Sequence, residues 1–440
     1  MNMNVKGNVL FWSLAVSLGG FLFGFDTAVI SGGEQAIQKL WNLDNLVLGQ
    51  LVGMGLYGTV VGALLGGIPA DKFGRKPTLI IIALLFLICS IGSAMATGPG
   101  MLMFFRFIGG LGVGASSVVA PVYISEIAPK EKRGRLTAMF QFNLVLGILV
   151  AYASNYLIGN TADQSWRIML GIMAIPSIIF LLLLFFVPES PRWLVIAKGK
   201  INEAKEILNI IDPSSVVESL NAMSVKSEST NFASLISGKY NFSIFLAFII
   251  AFFNQLSGIN AVIYYAPRIL QEVGLGAKVA LLSTVGIGMV NLIFTMLGLR
   301  LIDQFGRRIL MYIGSIGYII SLASVSLAFY LGTGSAFVPI LLFVFIASHA
   351  IGQGAVIWVF ISEIFPNKVR SLGMSLGSTT HWIFAALIGA FFPIANEKLG
   401  GATIFAIFAG MMVLQLVWVW KIMPETKGVS LEDLEKKLAK

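Results

Sequence analysis

Apolar residues run along the chain in blocks of about 20, long enough at 1.5 Å per residue to cross the roughly 30 Å hydrocarbon core of a bilayer as helices. Twelve such blocks can be drawn, at 9–30, 46–70, 77–97, 101–124, 136–158, 167–187, 241–266, 278–302, 309–331, 336–361, 371–394 and 402–422. Clusters of charged residues, glycine and proline separate them. The pattern predicts an all-α membrane protein with twelve transmembrane helices. The first block is expected to stay in the chain as helix 1. It is longer than the apolar segment of a signal peptide, has Lys6 as its one preceding charge and lacks a small-residue cleavage site.

The seventh block departs from the pattern. Residues 252–267 read FFNQLSGINAVIYYAP, which sets Asn254, Gln255, Ser257, Asn260, Tyr264 and Tyr265 around Gly258 in an otherwise apolar span. An uncompensated amide in hydrocarbon costs on the order of 2–7 kcal/mol. A helix this polar therefore faces protein or a wet cavity rather than lipid. Amides and hydroxyls without charge suit a neutral ligand rich in hydroxyls; they equally suit hydrogen bonds that join neighbouring helices.

Composition agrees with the membrane assignment: 57% of the 440 residues are hydrophobic, 12% are charged, and mean hydropathy is +0.87. The 47 glycines allow close helix approach. A net charge of +9 raises nucleic acid as a partner, but 24 of the 30 Lys and Arg residues occupy the two termini and the alternate loops on one predicted side. Lys39, Arg167, Arg268, Lys278 and Lys398 are on the other side, and Arg106 falls within a span. The positive-inside rule then puts both termini in the cytoplasm, and the basic face meets anionic lipid headgroups rather than nucleic acid. Cys89, the one cysteine, lies in an apolar block, so no disulfide framework exists. Asn241-Phe242-Ser243, the one N-x-Ser/Thr tripeptide, falls at the cytoplasmic edge, which favours a bacterial inner membrane over an animal cell surface.

The blocks group into an N-terminal bundle (1–187), a cytoplasmic linker with short helices (188–240), a C-terminal bundle (241–422) and a cytoplasmic tail (423–440). Within the linker, 202–209 has amphipathic spacing, whereas 212–229 is polar and serine-rich. The two bundles repeat one another. DKFGRK (71–76) recurs as DQFGRR (303–308), SEI (125–127) as SEI (362–364) and PES (188–190) as PET (424–426). Gly24 and Asp26 align with Gly258 and Asn260, and the four offsets are 232, 237, 236 and 234. Two homologous six-helix halves of this kind enclose a site near the bilayer midplane and rock about it.

Nine stretches carry a family resemblance: GGFLFGFDTAVISG (19–32), DKFGRK (71–76), RFIGGLGVG (106–114), PVYISEIAPKEKRGR (121–135), PESPRWL (188–194), NQLSGINAVIYYAP (254–267), DQFGRR (303–308), SEIFPNKVR (362–370) and PETKG (424–428). In this order, essentially end to end, the chain resembles the sugar porter family of the major facilitator superfamily. It is most similar to the bacterial proton-coupled sugar symporters of the xylose/glucose type. The resemblance implies the major facilitator fold with two pseudo-symmetric six-helix bundles. It also implies import of a monosaccharide, hexose or pentose, by proton symport through alternating access, with no cofactor and a monomer as the functional unit. A facilitative uniporter is the alternative, and a membrane sugar sensor a further one.

Charges inside spans are costly and pair up, so Asp26 in helix 1 and Arg106 in helix 4 are expected to meet. That pair reads either as a static ion pair or as a proton site whose carboxyl protonates when the arginine moves away. The resemblance favours the proton site. It also carries over Gln141, Gln255, Asn260, Asn291, Trp358 and Trp382 as sugar contacts, with Phe23 and Tyr264 lining the cavity and Tyr265 near an outer gate. Amides donate to and accept from hydroxyls, and indoles cover the apolar ring face. Three features depart from the family pattern: Asn254 stands where a glutamine is usual, His381 where an amide is common, and GQGAVIW (352–358) lacks a proline. His381 reads as a neutral hydrogen-bonding group or a titrating one, and His349 as packing.

The loop charges Asp71, Arg75, Glu126, Arg133, Arg135, Glu189 and Arg192, and their second-half counterparts Asp303, Arg307, Glu363, Arg370 and Glu425, read as solvated topology signals or as a cytoplasmic latch between the halves. Gly74 permits a tight turn, Asp71 can face a helix N-terminus, and Arg75 can grip a carboxylate with both arms. The resemblance favours the latch. An enzyme or an ATP-driven pump would need a catalytic set or a phosphate loop, and neither GxxxxGK[ST] nor HExxH occurs.

Overall fold

The structure is a computed structural model and describes residues 5–159, 164–214, 216–224, 235–236, 238–332, 336–366, 368–429 and 431–438. Every element among them is helical. The first half comprises α1 (Val5–Val29), α2 (Glu34–Leu40), α3 (Asn45–Leu65), α4 (Gly67–Phe73), α5 (Arg75–Ala94), α6 (Pro99–Ile127), α7 (Arg133–Ile158), α8 (Ser165–Gly171) and α9 (Ala174–Leu184). The linker holds α10 (Pro191–Lys198), α11 (Ile201–Ile211) and α12 (Val216–Ser224). The second half holds α13 (Asn241–Leu256), α14 (Ile259–Glu272), α15 (Ala277–Phe305), α16 (Arg307–Leu331), α17 (Val338–Ile351), α18 (Gln353–Glu363) and α19 (Arg370–Lys421), followed by α20 (Leu431–Leu438).

The faces of α5 show what kind of solvent these helices are built for. Ile81, Leu84, Ile88 and Ile91 recur at helical spacing and are exposed, while Ser90, Ser93 and Cys89 are buried on the opposite side. A water-soluble helix would have the reverse arrangement. Among the described residues, eleven helices are long and apolar enough to cross a membrane. The longest, α19, has 52 residues and turns at Gly400, where φ is +76° and ψ 153°. At 1.5 Å per residue it is roughly 78 Å long, more than twice the bilayer core, so it supplies two passes and the total is twelve.

Glycine sets how closely the helices approach. A Cβ on Gly24 of α1 would lie 1.9 Å from the Leu144 carbonyl oxygen of α7, and one on Gly147 would lie 2.1 Å from that of Phe21, so these backbones touch directly.

The chain forms two compact units. One contains Met1–Ile30, Tyr57–Ala151 and Gln164–Ser227; the other contains Ser31–Leu56, Tyr152–Asp163 and Glu228–Lys440. Particular contacts draw the early segments into the second unit. A Cβ on Gly49 would sit 1.9 Å from the Ala390 carbonyl oxygen, and the Tyr152 hydroxyl donates to the Ile263 carbonyl at 2.8 Å.

In the linker, α11 covers the amphipathic stretch, and its Ala204 packs with Trp193 and Leu194 of α10. The serine-rich piece also contains a helix, α12, which sequence composition concealed; its Val216 is buried. Residues 215 and 225–229 of that piece lie outside the described residues.

Candidate functional site

Gly258 breaks the seventh predicted span in two. Its φ of +83° and ψ of 12° are left-handed, and a Cβ there would lie 2.4 Å from the Phe408 ring, so glycine is required on both counts. The break releases backbone and gathers amides around it. Asn260 Nδ2 donates to Gln255 Oε1 at 2.7 Å, and Gln255 Nε2 donates to Asn254 Oδ1 at 2.9 Å. The same Gln255 nitrogen lies 3.2 Å from both ring nitrogens of His381 on α19. The His381 ring is itself held between Trp358 of α18, with centroids 5.1 Å apart, and Trp382, at 4.9 Å. The result is a ladder of uncharged polar groups, buried at Asn254, Gln255 and Asn260 and flanked by two indoles.

Other predicted sugar contacts occupy the same unit. Tyr264 is buried, and Asn291 of α15 is buried and accepts from Thr295 Oγ1 at 3.3 Å. Tyr265 donates to the Gly389 carbonyl at 2.8 Å and stacks on Phe392. Phe23 of α1 and Gln141 of α7 belong to the first unit, where Phe23 is buried and Gln141 half-buried. The tenth predicted span, whose GQGAVIW segment (352–358) lacks a proline, breaks at Gly352 between α17 and α18, with φ −82° and ψ −101°. There a Cβ would lie 2.8 Å from Gly314 Cα, so two glycines bring α16 and the break together.

The first unit places charge where the second places amides. Arg106 of α6 donates through Nη1 to Asp26 Oδ1 at 2.6 Å and to the Asp26 carbonyl at 3.2 Å. The two side chains are 1% and 4% exposed, so neither charge reaches water. The Cys89 thiol lies 3.7 Å from the same carboxylate oxygen. Gly109 leaves the space: a Cβ there would lie 2.4 Å from the sulfur.

The repeated loop charges form two similar networks, one in each unit. Arg75 grips Glu126 with Nε and Nη2, both at 3.1 Å, and Arg307 grips Glu363 at 3.0 and 2.7 Å. Asp71 and Asp303 are largely exposed, each paired with the arginine four residues on. The N-terminus of α5 is capped by Glu189. Its carboxylate accepts from the backbone N–H of Arg75 at 2.9 Å and of Lys76 at 3.2 Å, because Gly74 (φ +111°) carries no Cβ to block it. Glu425 does the same for Arg307 and Arg308 past Gly306, and also accepts from Thr426 and Lys427. The two caps titrate in opposite senses. Burial pushes the Glu189 carboxyl up, and its backbone donors and Arg75 only partly offset that. Burial also pushes Glu425 up, but four backbone N–H groups outweigh it and hold the carboxyl below its usual range. Arg133 donates to the Ser125 carbonyl and Arg370 to that of Phe365, while Arg135 and Arg192 are exposed.

Three groups escaped the sequence analysis. Glu34 of α2, fully buried, is held by Arg268 Nε at 3.0 Å and Nη2 at 2.6 Å, and Gln38 accepts from the same Nη2. Burial pushes the Glu34 carboxyl up, with Arg268 opposing. The two residues are 234 positions apart, the repeat offset of helices 1 and 7, so equivalent positions with opposite charges were the available signal. Gln353 pairs with Gln415, whose Nε2 donates to Ser315 at 2.8 Å. His349 shares a hydrogen bond with the Tyr318 hydroxyl at 2.5 Å, a bond that its assignment to packing left out. Among the described residues, no group of histidine, cysteine and carboxylate side chains is placed to hold a metal ion.

Comparison with known proteins places this geometry. The family described as "Sugar (and other) transporter" matches residues 12–438. The D-xylose-proton symporter of Escherichia coli (strain K12) is 34% identical over 478 residues, covering 99% of this chain and 97% of that protein. The arabinose-proton symporter of Bacillus subtilis (strain 168) is 37% identical over 441 residues, covering 98% and 95%. The solved structure of the major facilitator superfamily proton:xylose symporter XylE, bound to 6-bromo-6-deoxy-D-glucose, superposes with a TM-score of 0.81 at 33% identity, covering 98% of this chain and 99% of that one.

Proposed function

The chain belongs to the sugar transporter family, and on that premise we propose that it imports a monosaccharide, pentose or hexose, by proton symport through alternating access. It is an integral multi-pass membrane transporter of the major facilitator fold and not an enzyme. Asp26 is the proton site and Arg106, 2.6 Å away, its counter-ion: separation of the arginine leaves a buried carboxyl that takes a proton. The sugar is held by the amide ladder of Asn254, Gln255 and Asn260 with His381, by Asn291 and Gln141, and by the faces of Trp358, Trp382, Phe23 and Tyr264. Tyr265 contributes to outer gating. The bidentate pairs Arg75–Glu126 and Arg307–Glu363, with Asp71, Asp303, Arg133, Arg135, Arg192, Arg370 and the caps Glu189 and Glu425, form two cytoplasmic networks, one in each half, that bias an equilibrium of a few kcal/mol between access states.

The observation that carries this reading is the division of chemistry between the two units: a buried ion pair at Asp26 in one, and an uncharged hydrogen-bonding ladder at the aligned helix break in the other. Known symporters of xylose and of arabinose among its relatives support the substrate class and the coupling ion. The basic loops support cytoplasmic termini, the bacterial relatives support an inner membrane with anionic lipid at that face, and a single chain contains both sites, which supports a functional monomer. Bundles at 1–187 and 241–422, joined by the linker 188–240 and followed by the tail 423–440, are the rocking bodies.

A panel of labelled pentoses and hexoses, supplied to proteoliposomes with and without a protonophore while external pH is followed, tests the proposal. The transported sugar should alkalinise an unbuffered medium and lose its accumulation to the protonophore. Sugar entry without alkalinisation would make the protein a uniporter.

A further inference from the structure

Arg268 is held along one edge and free along another. Its Nε and Nη2 are taken up by Glu34, whose side chain is 0% exposed, and Nη2 also donates to Gln38. Nη1 makes no hydrogen bond among the described residues, and the arginine side chain is 16% exposed. The buried carboxylate thus fixes the guanidinium while its remaining donors meet solvent. They meet it in a cleft of about 620 Å³, within the size range of small-molecule sites, to which Lys39, Asn42, Gln271 and Glu272 also contribute. All of these residues belong to the second unit. Lys39 and Arg268 lie on the side opposite the basic loops, so with cytoplasmic termini the cleft opens outward. The side chains of Lys39, Asn42 and Gln271 have no hydrogen bond among the described residues. Glu272 accepts from Asn396 Nδ2 at 2.9 and 3.0 Å, which orients its carboxylate and leaves lone pairs unspent.

Charge in and around the cleft cancels, Arg268 against Glu34 and Lys39 against Glu272, so an anion drawn to the cations also meets carboxylates. What remains is a set of donors and acceptors side by side. Hydroxyl groups match that pattern, because each one both gives and takes a hydrogen bond. We propose that this cleft is a second carbohydrate-binding site, which holds a monosaccharide at the outer mouth ahead of the midplane chamber. Arg268 Nη1 donates to the sugar, Glu272 accepts from it, and Lys39, Asn42 and Gln271 complete the contacts. The site is polar and open, so it binds more weakly than an enclosed one. It rests on the reading of a monosaccharide importer above, but uses none of the residues assigned to the central site.

Size separates the two places. Xylose or glucose coupled through a short linker to soluble polyacrylamide can present its sugar at the mouth but cannot be enclosed at the midplane. With the full-length protein in nanodiscs, saturation-transfer nuclear magnetic resonance should show contact with the tethered sugar and none with the bare polymer. Gln255→Ala should leave that contact unchanged. Lys39→Ala combined with Gln271→Ala should weaken it about 10-fold or more. Arg268→Gln combined with Glu34→Gln, which removes both charges of the buried pair together, should do the same. The Lys39 and Gln271 variant decides the matter even if the buried-pair variant fails to fold. No contact with tethered sugar, while free sugar gives a contact that Gln255→Ala abolishes, overturns the outer site and leaves the central one standing. A tethered contact that Gln255→Ala abolishes, or that Lys39→Ala with Gln271→Ala leaves unchanged, overturns the outer site as well. If neither free nor tethered sugar makes contact, the monosaccharide reading falls with the inference.

Discussion

Positions 26 and 260 are equivalent in the two halves of the chain, yet one is an aspartate and the other an asparagine. Around Asp26 the protein supplies an arginine at 2.6 Å and little else that is polar beyond a thiol. Around Asn260 it supplies amides, an imidazole and two indoles, and no charge. The contrast follows from desolvation. A buried charge needs one strong partner, and its energy changes steeply when that partner moves, which suits a proton switch. A neutral ladder satisfies itself at a modest gain per bond and can exchange partners with sugar hydroxyls. Aligned positions have thus been given two different chemistries, with the helix broken at Gly258 in the second half and α1 running unbroken past Asp26 in the first.

Removing Arg106 should have the largest effect. Arg106→Ala leaves Asp26 buried without its counter-ion, at a cost of about 3–5 kcal/mol. Thermal unfolding in detergent should show a large loss, partly restored by Asp26→Asn in the same chain. Asn260→Asp erases the difference between the halves. A carboxylate cannot donate to Gln255 Oε1, so sugar affinity should fall about 10- to 100-fold at neutral pH. Binding measured by tryptophan fluorescence should recover on acidification, when the new carboxyl regains a proton to donate.

Gly258→Ala tests the break itself: a left-handed alanine costs about 1–2 kcal/mol before the Phe408 ring is displaced. Sugar uptake should fall even where the protein still accumulates in the membrane. The smallest effect separates the two cytoplasmic caps. Glu425 titrates below its usual range when folded, so its stabilisation is present at neutral pH and is lost as pH falls through its folded value. Glu189 titrates above its usual range, so its carboxyl favours the folded state in acid, and that contribution fades as pH rises. Glu425→Gln should therefore lower the melting temperature at neutral pH more than Glu189→Gln does, by a few degrees at most, with the gap closing in acid.

How much of this could be read from the residues depended on the range of each interaction. The twelve membrane passes were legible because hydropathy acts block by block, and even the unbroken run of α19 reduces to two passes at Gly400. The amides of the seventh span stood out against their apolar surroundings, although the left-handed turn at Gly258 showed only as a glycine among them. Glu34 and Arg268 did not stand out. Each reads as one loop charge, and only folding brings them together into a bidentate buried pair. The cap on α5 did not stand out either, because the chain returns Glu189 to it from the end of the half. Helix α12 was hidden because serine-rich composition outweighed its short apolar spacing.

The most direct test of proton coupling at Asp26 is labelled-sugar uptake into proteoliposomes under an imposed inward proton gradient, comparing the wild type with Asp26→Asn. Counterflow exchange in the same vesicles reports that the sugar path is intact. The wild type should concentrate sugar above the external level and Asp26→Asn should only equilibrate it, with counterflow preserved in both. Uphill accumulation by Asp26→Asn equal to that of the wild type would contradict the account.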